Sequence, residues 1–194
     1  MMEGFLVIGV VGLQGAGKTE VARAAAKLGI PSIHMGEAVI EEVMRRKIEL
    51  TEANVGETAN DLRRLEGPAA IAKRCLPKIL RAGEGAKAVL VDGIRSEAEV
   101  EEFKRAFGDR FFLIAVEAGE QTRYRRVMGR RRLDDASSFE EFLRRDEREL
   151  KWGLAGAMAR ADFVLKNEGS IEELHEKVTG VMQKLISGEA KDIP

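Results

Sequence analysis

The chain has 194 residues, 44% of them apolar and 34% charged, and its 32 Lys and Arg nearly balance 33 Asp and Glu for a net charge of −1. That length and composition suit one domain with its own core and exclude a disordered or fibrous chain. The charge balance excludes bulk electrostatic binding to nucleic acid or membrane, and the single cysteine, Cys75, excludes a disulfide framework and a cysteine-rich zinc site.

The longest apolar run, Phe5 to Leu13, is too short to span a bilayer and lacks the basic lead-in and small-residue cleavage site of a signal peptide. A cytoplasmic location is expected. Sparse Asn, Gln and Cys beside abundant Arg and Glu point to a hot-adapted source.

In chain order, Phe5 to Val11 reads as a strand buried on both faces, followed by a glycine-rich loop. Thr19 to Leu28 reads as a helix ended by Gly29, with Pro31 beyond. Ile30 to His34 is a short strand. Glu37 to Lys47 is a helix with Val39, Ile40 and Val43 on one side. The polar stretch from Glu49 to Gly67 predicts mobile helical structure. Pro68 opens a helix to about Leu80, with a kink at Pro77. Ala88 to Val91 is a buried strand ending at Asp92. Ser96 and Glu99 form a capping box that opens a helix to about Phe107. Phe111 to Val116 is a strand, and a basic helix covers about Gln121 to Arg132. Ser138 with Glu141 caps a helix towards Trp152, Asp162 to Lys166 is a strand, and Ser170 with Glu173 caps a last helix to about Ile186. Strand and helix alternate throughout, which predicts an α/β class with a parallel sheet in a single domain, residues 1–194. Segments near 36–67 and 119–152 lie outside the sheet.

Gly12-Leu13-Gln14-Gly15-Ala16-Gly17-Lys18-Thr19 fits the GxxxxGK[ST] phosphate loop, between a buried strand and a helix as that loop requires. Glycines let the backbone wind tightly and present N–H groups to phosphate oxygens. The following helix adds the positive end of its dipole. Lys18 places a charge on the β and γ phosphates, and the Thr19 hydroxyl is suited to Mg²⁺. A glycine-rich turn that binds nothing is the alternative. No NKxD-type strand end marks a guanine-specific GTPase, and the chain is short for a typical AAA or transporter ATPase module. A small kinase needs only a core sheet, an acceptor segment and a lid.

Three further segments carry a resemblance. Ile33-His34-Met35-Gly36-Glu37 lies where adenylate-type kinases have a TGD-like turn opening the acceptor helix. Val91-Asp92-Gly93-Ile94-Arg95 resembles the DG-x-P-R strand end of nucleoside monophosphate kinases without its proline. Ala161 to Leu174, with Asn167 and Gly169, resembles the carboxyl-terminal segment of dephospho-CoA kinases. With the phosphate loop, these cover nearly the whole chain. It resembles an archaeal family of small P-loop proteins related to adenylate kinases and dephospho-CoA kinases. The resemblance implies a three-layer fold with a five-stranded sheet ordered 2-3-1-4-5, ATP binding, and phosphotransfer. Two departures stand out: Glu37 replaces the Asp of the turn, and Ile40 stands where those kinases carry a phosphate-binding Arg.

Asp92 ends a central strand near the loop, where open α/β sheets bind ligands. It reads as a ligand of Mg²⁺ or its water shell, or as an orienter of the acceptor hydroxyl; the alternative is a turn cap. Arg95 reads equally as a fork for an acceptor phosphate and as an exposed charge. Glu37 reads as an acceptor contact or as a first-turn acid that complements the helix dipole. Arg63 and Arg64 are candidates for a substrate phosphate, with a solvated helix face the favoured reading. In the lid segment, Arg123, Arg126 and Arg130 share one helical face, and of the run with Arg125, Arg131 and Arg132 one or two are expected to be functional, Arg126 and Arg130 foremost. The alternative is a solvated face paired with Asp134 and Asp135, and the absence of interleaved aromatics argues against RNA. The resemblance puts Asn167 and Gly169 at adenine contacts. His34 and His175 have no ligand spacing and receive no role, and Cys75 and Trp152 read as packing residues.

These readings converge on a kinase using ATP and Mg²⁺. Lys18, Asp92, Arg126 and Arg130 are its catalytic candidates, and Glu37, Arg63 and Arg95 face a small nucleotide-like acceptor of dephospho-CoA or nucleoside monophosphate type. The rival is a nucleotide-dependent switch that hydrolyses ATP slowly.

Overall fold

The structure is a computed structural model, and it describes residues 4–130 and 138–189. Its five strands form one parallel sheet in the order β2-β3-β1-β4-β5, as expected. β1 (Leu6–Val11) is the central strand, paired with β3 (Ala88–Asp92) on one side and β4 (Phe111–Glu117) on the other. Its unbroken apolar sequence follows from that position, because helices cover both faces of the sheet. β2 (Ser32–His34) pairs with β3, and β5 (Phe163–Lys166) pairs with β4.

Two separate cores lie on the two faces. On one, α1 (Lys18–Lys27) and α9 (Ile171–Ser187) pack Val21, Leu174, Val178 and Met182 against Ile8, Val10 and Ile114. On the other, α2 (Met35–Arg45), α3 (Glu52–Glu66), α4 (Ala70–Ala82), α5 (Glu97–Phe107) and α8 (Leu154–Ala159) surround Val7, Val11, Val89, Val91 and Phe103. α6 (Glu120–Arg130) and α7 (Phe139–Lys151) are joined by the Tyr124, Phe139 and Phe142 rings, with centroids 4.9–6.1 Å apart. Among the described residues, no helix is long and apolar enough to cross a membrane.

The serine N-caps read from the sequence are formed. Ser96, Ser138 and Ser170 each accept a hydrogen bond from the backbone N–H three residues on, at 3.2–3.3 Å. The structure departs from the sequence reading in several details. α2 begins at Met35, two residues early, because His34 ends the strand and opens the helix directly. Its inner face carries Val39, Glu42 and Val43, and Ile40 stays half-buried. The polar segment expected to be helical contains the regular 15-residue helix α3, capped by Thr51 and buried through Thr58, Ala59 and Leu62. α8 was not foreseen; its small apolar residues carry too weak a period to announce a helix. α4 runs on through Pro77 to Ala82.

Glu42 turns inward because three arginines meet it. Arg45 and Arg46 reach its Oε1 at 2.6 and 2.8 Å, and Arg74 from α4 reaches Oε2 at 3.1 Å. Arg46 also bridges to Asp61 on α3 at 2.9 Å. Arg45, then Arg46 and Arg74, hold the Glu42 carboxyl well below the usual carboxylate range despite its burial. One buried acid thus ties α2 to α4 and, through Arg46, to α3.

Candidate nucleotide and phosphate-transfer site

The phosphate loop connects β1 to α1 at the carboxyl end of the sheet. Two of its glycines are required by close approach as well as by conformation. Gly15 has φ 75°, and a β-carbon there would lie 2.6 Å from the Arg123 carbonyl oxygen. Gly17 has φ 117°, and its β-carbon would lie 2.4 Å from Asn167 Nδ2. α1 begins at Lys18, so its dipole and unpaired N–H groups face the loop. Lys18 Nζ donates to the carbonyls of Gly12 (2.5 Å) and Leu13 (3.1 Å). Burial pushes its ammonium pKa down, and the Asp92 and Glu149 carboxylates oppose that shift.

Beside the loop lies a cavity of about 450 Å³, in the size range of small-molecule sites. Lys18 and Thr19 line it together with Asp92, Arg95, Arg126 and Asn167. The sequence-predicted candidates for donor phosphate, metal, acceptor phosphate and base therefore meet in one space. Burial works against ionisation of Asp92, but His34 and Lys18 outweigh it, and the carboxyl is held below its ordinary range. Among the described residues, Asp92 Oδ1 is buried with no hydrogen-bond partner. An ionised carboxylate oxygen in that state, near a hydroxyl on Thr19, is a hard-oxygen donor set suited to Mg²⁺. Among the described residues no cluster of three His, Cys, Asp or Glu stands ready to hold an ion by itself.

Arg126 donates to the Asn167 carbonyl (3.0 Å), the Asn167 Oδ1 (3.3 Å) and the Gly169 carbonyl (3.5 Å). Asn167 in turn donates from Nδ2 to the Ala16 carbonyl at 2.7 Å. The loop after β5 is thereby tied to both the phosphate loop and α6.

Other predicted residues lie elsewhere. Arg63 is not on a solvated face: its side chain is 13% exposed, pairs with Glu99 at 3.1 Å, and lies 4.8 Å over the Trp152 ring. Arg64 is exposed and paired with Asp61. Glu37 is exposed in the first turn of α2 and does not line the cavity. Arg123 shares a face with Arg126 but is buried against Asp146 at 2.7 Å, so the expected arginine face is not a uniform lid surface. The Arg130 side chain and residues Arg131, Arg132, Asp134 and Asp135 lie outside the described residues.

Sequence reasoning missed three residues. Arg145 and Glu149 line the cavity from α7, and Arg95 Nε and Arg145 Nε lie 3.6 and 3.7 Å from the same Glu149 oxygen. Their i, i+4 spacing is visible in the sequence, but which side of α7 faces the loop is not. His34 lies beside Asp92, a contact set by strand register rather than by spacing.

Comparison with known proteins gives matches along most of the chain. A family model described as an AAA domain matches residues 8–150, so the argument from length did not exclude that family. A UPF0200/UPF0201 protein of Archaeoglobus fulgidus is 50% identical over 179 residues, which cover 92% of this chain and 55% of that protein; the chain thus spans about half the length of that relative. A UPF0200 protein of Methanosarcina mazei is 39% identical over 183 residues, covering 94% and 97%. Among solved structures, TT1252 from Thermus thermophilus superposes with a TM-score of 0.62 at 21% identity, covering 94% and 99%. Dephospho-CoA kinase from Campylobacter jejuni superposes with a TM-score of 0.58 at 17% identity, covering 94% and 98%. At those identities the structures establish the fold, that of the small P-loop kinases.

Proposed function

The chain belongs to the AAA-domain family and to the UPF0200 proteins, and from that premise we propose that it is an ATP-dependent kinase that transfers the γ phosphate to a small nucleotide-like acceptor. The observation that carries this reading is the cavity in which Lys18 and Thr19 face Asp92, Arg95, Arg126 and Arg145. A slow switch needs the loop; a transferase also needs charged groups on the far side, where an acceptor sits.

The chemistry is positioning and charge neutralisation. Loop N–H groups, the α1 terminus and Lys18 hold the triphosphate. Bound phosphate favours the Lys18 ammonium that burial disfavours, because an adjacent anion favours the charged form. Asp92, ionised and adjacent to the cavity, orients the acceptor hydroxyl and accepts its hydrogen bond. Arg145 offsets charge that develops on the transferred group, and Arg126 holds the loop after β5 at the edge of the cavity. Arg95 faces an anionic group on the acceptor, held in direction by Glu149. Thr19 and Asp92 are the residues that would hold Mg²⁺, which neutralises phosphate charge when bound.

The reading covers two acceptor types: one of dephospho-CoA type takes the phosphoryl group on a hydroxyl that Asp92 orients, and a nucleoside monophosphate takes it on a phosphate oxygen, with Arg95 facing that phosphate. The rival switch reading draws on Ile40, which supplies no cation to the acceptor side. The deciding experiment presents labelled ATP and Mg²⁺ with nucleotides, nucleosides and CoA precursors in turn. A kinase transfers label to at least one acceptor far faster than to water. If no acceptor raises turnover, the kinase reading is wrong. Lys18→Ala abolishes triphosphate binding under either reading.

A further inference from the structure

Gln14 lies inside the phosphate loop, yet its side chain is buried against α7. Its Nε2 donates to the Phe142 carbonyl at 2.7 Å and to Asp146 Oδ1 at 3.1 Å. Both partners only accept, so the amide orientation is fixed. Arg123 completes the cluster from α6. Its Nη1 reaches Asp146 Oδ2 at 2.7 Å and the Gln14 carbonyl at 3.2 Å, and its Nε reaches the Ala118 carbonyl at 3.2 Å. The guanidinium lies 5.1 Å over the Phe142 ring. Gln14, Arg123 and Asp146 are all at most 6% exposed.

This is a costly way to fill space. The Gln14 Oε1 is buried without a partner among the described residues, and a buried ion pair is often no more stable than apolar side chains of similar volume. What the cluster does provide is direction. It grips the loop at both the side chain and the carbonyl of Gln14, within the stretch whose N–H groups must converge on phosphate. The helix that does the gripping also carries Arg145 and Glu149 into the cavity, and it ends at Trp152, whose Nε1 donates to Asn60 Oδ1 on α3 at 2.9 Å.

We propose that Asp146 and Arg123 are positioning residues for the phosphate loop, and that through Gln14 they make α7 move with the loop when a triphosphate is seated. The acceptor-side insertion then senses the donor nucleotide through Trp152. This rests on the nucleotide-binding reading above, and the test separates the two.

Trp152 is the chain's one tryptophan, so its emission reports on the end of α7. Calorimetry with MgATP gives affinity, and emission gives coupling. In the wild type, MgATP binds and changes the emission. Gln14→Leu keeps the volume and leaves the Asp146–Arg123 pair whole. It is expected to weaken MgATP binding about tenfold, the scale of one charge-assisted hydrogen bond, and to lose more than half of the emission change at saturation. Arg123→Met with Asp146→Leu removes both charges together; its melting temperature is held or raised while the same two losses appear. Phe103→Leu, in the core beneath α5, lowers the melting temperature and leaves both readouts within twofold, which separates positioning from stability. If Gln14→Leu keeps wild-type affinity and the full emission change, or if wild-type protein binds MgATP with no change in emission, the proposal is overturned. If wild-type protein takes up no MgATP, the nucleotide reading falls and this one with it. Should the double variant fail to fold, Gln14→Leu alone decides.

Discussion

His34 Nδ1 lies 3.5 Å from Asp92 Oδ2, and the two residues are register partners across β2 and β3. Asp92 raises the pKa of His34, and His34 helps to lower that of Asp92, so each favours the charged form of the other. The contact engages one carboxylate oxygen and leaves Oδ1 as the unpartnered one.

His34→Ala frees Asp92 to rotate. Phosphate release from MgATP is expected to slow about tenfold while ATP affinity stays within twofold, because loss of an aligning hydrogen bond acts on the reacting geometry rather than on triphosphate binding. His34→Asn, whose side-chain amide can occupy the Nδ1 position, restores most of the rate. Steady-state turnover beside calorimetry checks both, and equal kcat in wild type and His34→Ala refutes the role.

Arg126 spends its donors on Asn167 and Gly169 rather than on the open cavity. Arg126→Ala is therefore expected to loosen the loop after β5 and to raise the Kd for ATP about tenfold. Calorimetry reads this directly. A fall in kcat alone, with Kd unchanged, would show that Arg126 leaves Asn167 and acts as a lid arginine.

The Glu42 carboxyl titrates lower in the folded chain than in the unfolded one. A depressed folded pKa gives stability that is complete above the unfolded value of about 4.3 and is lost as the pH falls through the folded value. Glu42→Gln is expected to lower the melting temperature at pH 7 by about 4–8 °C, on the scale of a charged hydrogen-bond partner lost from a domain of this size. The gap between wild type and variant should close progressively below about pH 4. A gap that persists unchanged at pH 3 contradicts the assignment.

Burial pushes the Cys75 thiol up to about 12. In folded protein it should react with a thiol reagent at pH 8 roughly a hundredfold or more slowly than a free thiol, and at the ordinary rate in denaturant. Rapid labelling of native protein would show that α4 opens.

The strands were legible because buried parallel strands read as short apolar runs, and the serine–glutamate caps mark where helices begin; the order of the strands came only from the family resemblance. The phosphate loop was legible because its chemistry is local and contiguous. What the sequence hid was three-dimensional. Glu42 reads as a solvated helix acid until the arginines of two helices are seen to meet on it. Arg63 reads as exposed until Glu99 and Trp152 are brought beneath it. His34 and Glu149 face Asp92 and Lys18 only once strand register and helix rotation are fixed, and neither quantity is written in the spacing of one segment.

One side chain near the carboxyl end, Asn167, fills the space where residue 17 has no β-carbon and bonds the backbone of residue 16. The loop made first during synthesis thus acquires its final shape from a residue made about 150 positions later. On the ribosome, a nascent chain that has not yet delivered the fifth strand and its following turn would carry the whole nucleotide signature and still hold ATP poorly. Maturation of the binding function should therefore coincide with the emergence of β5 and the turn after it rather than with that of the first strand and helix.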